Sequence, residues 1–244
     1  MIEVQDVHKS FGEVQALRGV SFSAADGRIT GLLGPNGAGK TTMLRVLYTI
    51  LDPDRGKASI DGHDVATDKV ATTEVVGALP HAHGLYARLT AREHVRYYGR
   101  LHGMRGAKLE RRIDRLIEDL DMASIADRRT SGFSQGESVK VAIARAIVHD
   151  PHNVLLDEPT AGLDVMSTRK MRAMIRRLRD DGRCILFSSH LMHEVSELCD
   201  HIVVISGGTI AASGSPDELR DATGCADLED AFVAAIGTDE GLMR

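Results

Sequence analysis

Apolar positions along the chain fall into three rhythms. From Met1 to about Pro80, short apolar runs alternate with turn residues: Ile2, Val4 and Val7, then Val20 and Phe22, then Ile29 to Leu33 just ahead of a glycine cluster. These runs predict strands, with one helix beginning near Lys40. Over residues 87–129 the period lengthens. Leu109, Ile113, Leu116, Ile117 and Leu120 return every three or four residues, the stripe of an amphipathic helix, so the zone reads as a helical insert. From Ser134 helical and strand patterns alternate: helix to Val148, strand 153–156, helix 165–179, strand 184–188, helix 192–198, strand 201–205. That alternation predicts a mostly parallel sheet covered by helices, with Met171, Met174, Ile175 and Leu178 as the buried stripe of one cover. After Ser215, Leu228, Phe232, Val233 and Ile236 mark a last amphipathic helix, expected to pack on the core.

No repeat, low-complexity tract or Pro-rich linker is visible, so boundaries follow the changes of pattern. They divide the chain into a core of residues 1–86 and 151–220, a helical subdomain of residues 87–150 and a C-terminal tail of residues 221–244.

The 244 residues, 43% apolar and 27% charged, suffice for one substantial core or two unequal lobes. A net charge of −5 leaves no global positive field to hold nucleic acid or an anionic membrane. Aromatics are 4% of the chain and tryptophan is absent, which argues against a stacking platform for single-stranded nucleic acid. Eleven basic and seven acidic side chains between Arg88 and Arg129 read as a solvated helical face. Cys184, Cys199 and Cys225 are odd in number and lack C-x-x-C spacing, so neither a disulfide framework nor a structural zinc site is expected. No apolar run approaches the ~18 residues of a membrane span. The chain is expected to work in a reducing compartment, neither secreted nor transmembrane.

The glycine cluster carries the first chemistry. Gly34, Pro35, Asn36, Gly37, Ala38, Gly39, Lys40, Thr41 and Thr42 match G-x-x-x-x-G-K-[ST], set between a predicted strand and a predicted helix. Glycines let backbone N–H groups turn inward around phosphate oxygens, the helix N-terminus adds its positive end, and Lys40 adds a compact charge. Thr41 would offer its hydroxyl to Mg²⁺. A glycine-rich turn without ligand is the alternative, and the strand-loop-helix context weighs against it. A second strand, 153–156, runs into Asp157-Glu158-Pro159. Beside a phosphate loop, Asp157 is the candidate metal residue and Glu158 the candidate base for an attacking water.

With these residues in place the chain resembles the ATP-binding subunits of ATP-binding cassette (ABC) transporters over nearly its full length. Phe133-Ser134-Gln135-Gly136-Glu137 resembles the family's L-S-G-G-Q signature, Ala161-Gly162-Leu163-Asp164 its D-loop, and Ser188-Ser189-His190 its switch-histidine segment. Ser134-x-x-Glu137 is also a capping box, and the two readings are compatible. The resemblance implies an α/β P-loop ATPase cassette: a mostly parallel sheet core, an antiparallel β part and a helical subdomain. It implies binding of ATP with Mg²⁺, His190 contacting the γ-phosphate, Phe11 stacking on adenine, and Ser134, Gly136 and Glu137 serving the nucleotide of a second subunit. It further implies a homodimer closed around two ATP molecules that drives a separate membrane permease from the cytoplasmic face of the cell membrane. No nucleic acid partner is expected.

The chain departs from the family at one place that matters. The family has a glutamine ahead of the helical insert; here the sequence reads Gly77-Ala78-Leu79-Pro80-His81, and no glutamine occurs between Gln15 and Gln135. Either His81 stands in as a metal or water contact, or that contact is missing. Glu137 and Gln135 replace the terminal glutamine and first glycine of the signature. The run from Gly84 to Glu93 looks like exporter-type members, including sodium-extruding and drug-extruding ones. A soluble cassette ATPase acting on nucleic acid or ribosomes is the alternative, but such proteins commonly carry two cassettes or long coiled-coil insertions, and neither is present. A switch that closes without turnover would not need both Glu158 and His190.

Overall fold

The computed structural model describes residues 1–81 and 84–237. In chain order the elements are β1 (Ile2–Phe11), β2 (Val14–Ala24), β3 (Ile29–Leu33), α1 (Lys40–Leu47), β4 (Arg55–Ile60), β5 (His63–Asp64), α2 (Lys69–Val75) and β6 (Val76–Leu79). Then come α3 (Ala91–Leu101), α4 (Gly106–Asp119), α5 (Gln135–Ala146), β7 (Asn153–Asp157), α6 (Val165–Asp180), β8 (Cys184–Ser189) and α7 (Met192–Leu198). The last elements are β9 (His201–Ser206), β10 (Thr209–Gly214), α8 (Pro216–Thr223) and α9 (Leu228–Ile236).

Two sheets result. Strands β2-β1-β4-β5 form an antiparallel sheet, and the second sheet runs β10-β9-β3-β8-β7-β6, parallel except for the antiparallel edge strand β10. Strands β3, β7 and β8 are buried at every residue, as strands covered on both faces must be. Alternate residues feed two cores. Leu33, Leu156, Phe187 and Val204 face the helices, while Leu32, Leu155, Leu186 and Val203 pack with α1 and the antiparallel sheet. The expected α4 stripe of Leu109, Ile113, Leu116 and Ile117 is buried in the helical core, as is the α6 stripe of Met171, Ile175 and Leu178, with Met174 half-buried beside it. In the tail, α9 buries Leu228 and Phe232 in the same core, while residues 238–244 of the expected tail lie outside the described residues. Among the described residues no helix is long and apolar enough to cross a membrane.

This topology gathers chemistry at one edge. In the ladder β3-β8-β7, Leu33 pairs with Ser189 and Asp157 pairs with Ser188. The carboxyl ends of three adjacent strands therefore deliver the glycine loop, the acid pair and His190 to the same place, where ligands of open parallel sheets bind.

Candidate nucleotide site

The loop between β3 and α1 is shaped by what its glycines lack. A Cβ on Gly34 would stand 2.1 Å from the carbonyl oxygen of Ile205, and Gly39, at φ 112°, would bring one within 2.7 Å of the Ala16 carbonyl. Gly39 caps α1 without any side-chain hydrogen bond, so the first N–H groups of that helix point outward unclaimed by a side chain. These groups can cradle a phosphate. A cleft here is lined by Ala16, Asn36, Gly37, Ala38, Gly39, Lys40, Thr41, Thr42 and Glu158. Lys40 is buried, with Nζ donating to the carbonyl oxygens of Gly34 at 2.6 Å and Pro35 at 3.2 Å. Burial lowers its pKa, opposed by the carboxylates of Glu158 and Asp157. A phosphate would offer that ammonium a stronger acceptor than the two carbonyls.

Asp157 is 2% exposed, and its Oδ1 accepts from Ser188 Oγ at 2.6 Å. The same hydroxyl oxygen accepts from the Glu158 N–H at 3.1 Å, and the Ser188 carbonyl lies 3.2 Å from that nitrogen. Ser188 thus fixes both acids from the neighbouring strand. Its hydroxyl role carries no periodic sequence signal, because it depends on strand pairing across some thirty residues. Glu158 adopts φ 52°, a left-handed backbone that turns its side chain away from the strand direction. Its Oε1 lies 3.0 Å from His190 Nδ1, and its Oε2 lies 3.6 Å from His81 Nδ1. One carboxylate therefore sits between two imidazoles from different strand ends.

The signature segment lies elsewhere. Ser134 caps α5, its Oγ accepting from Glu137 N–H at 3.2 Å while Glu137 Oε2 accepts from Ser134 N–H at 2.8 Å. Glu137 Oε1 is taken by Arg128 at 2.8 Å, so that carboxylate is committed to the cap and the insert. Gln135 reaches across to donate to the Ala161 carbonyl at 2.7 Å, and its amide lies over Gly162, where a Cβ would stand 2.6 Å from it. Asp164 caps α6 through Met166 and Ser167 N–H, both at 2.9 Å. None of Ser134, Gly136 or Glu137 lines the phosphate-loop cleft of this chain, and Gly136 faces a crevice against α6 instead. Phe11, 47% exposed at the end of β1 with Lys9 Nζ 5.9 Å from its ring centroid, is likewise outside that lining.

A glycine-rich loop ending in Lys-Thr beside a strand-end aspartate is the arrangement by which P-loop ATPases hold a nucleoside triphosphate with its metal ion. The chain belongs to the ABC transporter family, which its residues 17–161 match, and it is an ATPase of the ATP-binding subunit class. It is 39% identical over 241 residues to ABC transporter ATP-binding protein NatA of Bacillus subtilis (strain 168), covering 97% of this chain and 98% of that protein. It is 38% identical over 220 residues to Nod factor export ATP-binding protein I of Bradyrhizobium diazoefficiens, covering 90% of this chain and 72% of that one. Among solved structures, an ATP-binding subunit of an ABC transporter matches at TM-score 0.89 and 28% identity, over 96% of this chain and 99% of the other. A bacterial ABC transporter cassette solved as a dimer matches at TM-score 0.79 and 27% identity, over 88% and 98%.

Proposed function

We propose that this chain is the ATP-hydrolysing motor of an exporter-type transporter, working as a homodimer against a separate membrane permease on the cytoplasmic face of the cell membrane. The contact of His190 with Glu158, itself a lining residue of the phosphate-loop cleft, carries the reading. Glu158 would take a proton from the attacking water, and His190 would hold Glu158 in place and face the γ-phosphate. Gly34 to Thr42 would cradle the phosphates of ATP, and Phe11 would meet the adenine. Ser134 and Gly136 would complete the site of the other copy, which agrees with neither of them lining this chain's own cleft.

Thr41 and Asp157 would hold Mg²⁺. A hydroxyl and a buried carboxylate are the hard oxygen donors that this ion takes, and the Asp157 carboxylate has no basic side chain paired with it among the described residues. When bound, the ion neutralises charge on the terminal phosphates. His81, against Glu158 rather than apart from it, would share the positioning of the carboxylate and contact the metal or its water. Residues 87–150 would form the subdomain that receives the permease. Export is favoured by the name of one relative, the Nod factor export protein.

The test is purification of the tagged full chain from its native membranes with ATP. A multi-span protein that co-purifies and stimulates hydrolysis is the expected result. Recovery of ribosomal or other non-membrane partners alone would overturn the transport reading.

A further inference from the structure

Beyond the ends of β7 and β8, the loop holding Glu158 and the segment holding His190 leave the sheet ladder, whose last pair is Asp157 with Ser188. A carboxylate behind the site spans the gap. Glu194, in the first turn of α7, is 1% exposed, and its Oε2 accepts from Thr160 Oγ1 at 2.5 Å and from Ser189 Oγ at 3.1 Å. Thr160 lies two residues past Glu158, and Ser189 immediately precedes His190. Both hydroxyls are buried, at 6% and 3% exposure. Ser189 Oγ also accepts from the Leu191 N–H at 3.0 Å, which closes the turn around His190. A single oxygen atom thus holds one loop two residues after the base and the other one residue before the histidine.

No basic side chain among the described residues pairs with Glu194. A buried carboxylate without a cation is costly to desolvate, and the two buried hydroxyls that donate to it are its compensation, so an acid here calls for a reason in what those hydroxyls hold. Geometry gives one. We infer that Glu194 is a positioning residue for hydrolysis: by tying Thr160 to Ser189 it sets the approach of Glu158 to His190 without touching nucleotide. This inference rests on the reading of Glu158 and His190 as the reacting pair.

The experiment uses the full chain with MgATP and compares Glu194→Leu, Glu194→Gln and Thr160→Val. Because one oxygen accepts both bonds, the amide of Glu194→Gln can replace it, whereas Glu194→Leu removes both. Expected for Glu194→Leu are a kcat lower by about tenfold or more, a KM for ATP within about twofold of wild type and a lower Tm, because two buried hydroxyls lose their acceptor. Glu194→Gln should restore at least half the turnover. The ¹⁵N chemical shifts of the His190 ring should move in the leucine variant and return in the glutamine one. Wild-type kcat in a folded leucine variant, equal losses in the leucine and glutamine variants, or an effect confined to KM would each overturn the proposal. If Glu194→Leu does not fold, Thr160→Val decides: a tenfold loss of kcat supports the tie, and full turnover rejects it. Glu158→Gln measured alongside separates the two readings. Should it hydrolyse ATP at the wild-type rate, the base assignment fails, and the His190 ring shifts in the Glu194 variants alone judge the tie.

Discussion

His81 Nδ1 lies 3.6 Å from Glu158 Oε2, on the opposite oxygen from the one that meets His190. The residue proposed to stand in for the family's glutamine therefore lies beside the carboxylate proposed as the base. Replacing it with glutamine exchanges an imidazole nitrogen for an amide with paired donor and acceptor. His81→Gln should leave ATP affinity within about twofold and change permease-stimulated turnover by about tenfold. Equilibrium titration with a fluorescent ATP analogue, beside steady-state assays with and without the permease, checks both halves.

Glu158→Gln keeps the shape of the side chain and removes its basicity. Hydrolysis should slow by about 10²- to 10⁴-fold while ATP still binds, so an ATP-bound dimer should accumulate. Size-exclusion chromatography with light scattering, run with MgATP, reads the trapped species; a monomer at wild-type turnover contradicts the base role.

Lys40→Ala acts earlier in the cycle. The buried ammonium now held by Gly34 and Pro35 carbonyls is the main positive charge of the loop. Its loss should weaken ATP binding by about tenfold or more. Calorimetry on the full chain is the check, and retained affinity would remove the loop from phosphate binding.

Acid should weaken the fold through the helical insert. His94 is 0% exposed, lies between the rings of Tyr86 and Tyr98, and accepts the Tyr86 N–H on Nε2 at 2.7 Å. Its proton is left on Nδ1, which finds no partner among the described residues. Burial, then the charge of Arg145, lower its pKa to about 4. The unfolded chain therefore takes up a proton that the folded chain refuses between pH 6.5 and 4. Stability from this group is complete above pH 6.5 and lost as pH falls toward 4, at no more than about 1.4 kcal/mol per pH unit. His149, lowered to about 4 by burial and the stacked His102, adds to the slope. Urea midpoints from pH 7 to 4.5 should fall less steeply in His94→Leu than in the wild type.

Gln135 and Gly162 form a removable contact between α5 and the loop before α6. Gly162 sits at φ 70°, so Gly162→Ala carries a backbone cost of about 1 kcal/mol and displaces the Gln135 amide from the Ala161 carbonyl. Gln135→Gly should abolish the second part of that cost. A double-mutant cycle on unfolding midpoints should show coupling, and strict additivity would mean that the contact contributes nothing.

Local rules carried much of this reading. The Ser134 capping box, the α4 stripe and the short apolar runs within β3, β7 and β8 each announce themselves within a few residues, and each is in place. Other elements bury too little to leave a rhythm. In β4 the first three residues are exposed, α2 buries just Thr72 behind a β-branched run, and α8 buries Leu219 alone. The start of α8 was nonetheless written as Ser215-Pro216-Asp217-Glu218, a capping box with proline at the first helical position. At the site, Glu158 and His190 stand 32 residues apart and meet because β7 and β8 are neighbours. Glu194 carried no signal at all, since an acid in a first helical turn ordinarily reads as a dipole partner.

The backbone at Glu158 carries one more consequence. Of the six non-glycine residues with positive φ among the described residues, four are aspartates, which tolerate that conformation; Thr49 and Glu158 do not share their excuse. Glu158→Gly would relax the turn and gain stability of about 1 kcal/mol while deleting the carboxylate. A laboratory selection for heat resistance alone would therefore favour a sturdier, idle subunit, and only selection on turnover would keep the acid at this bend.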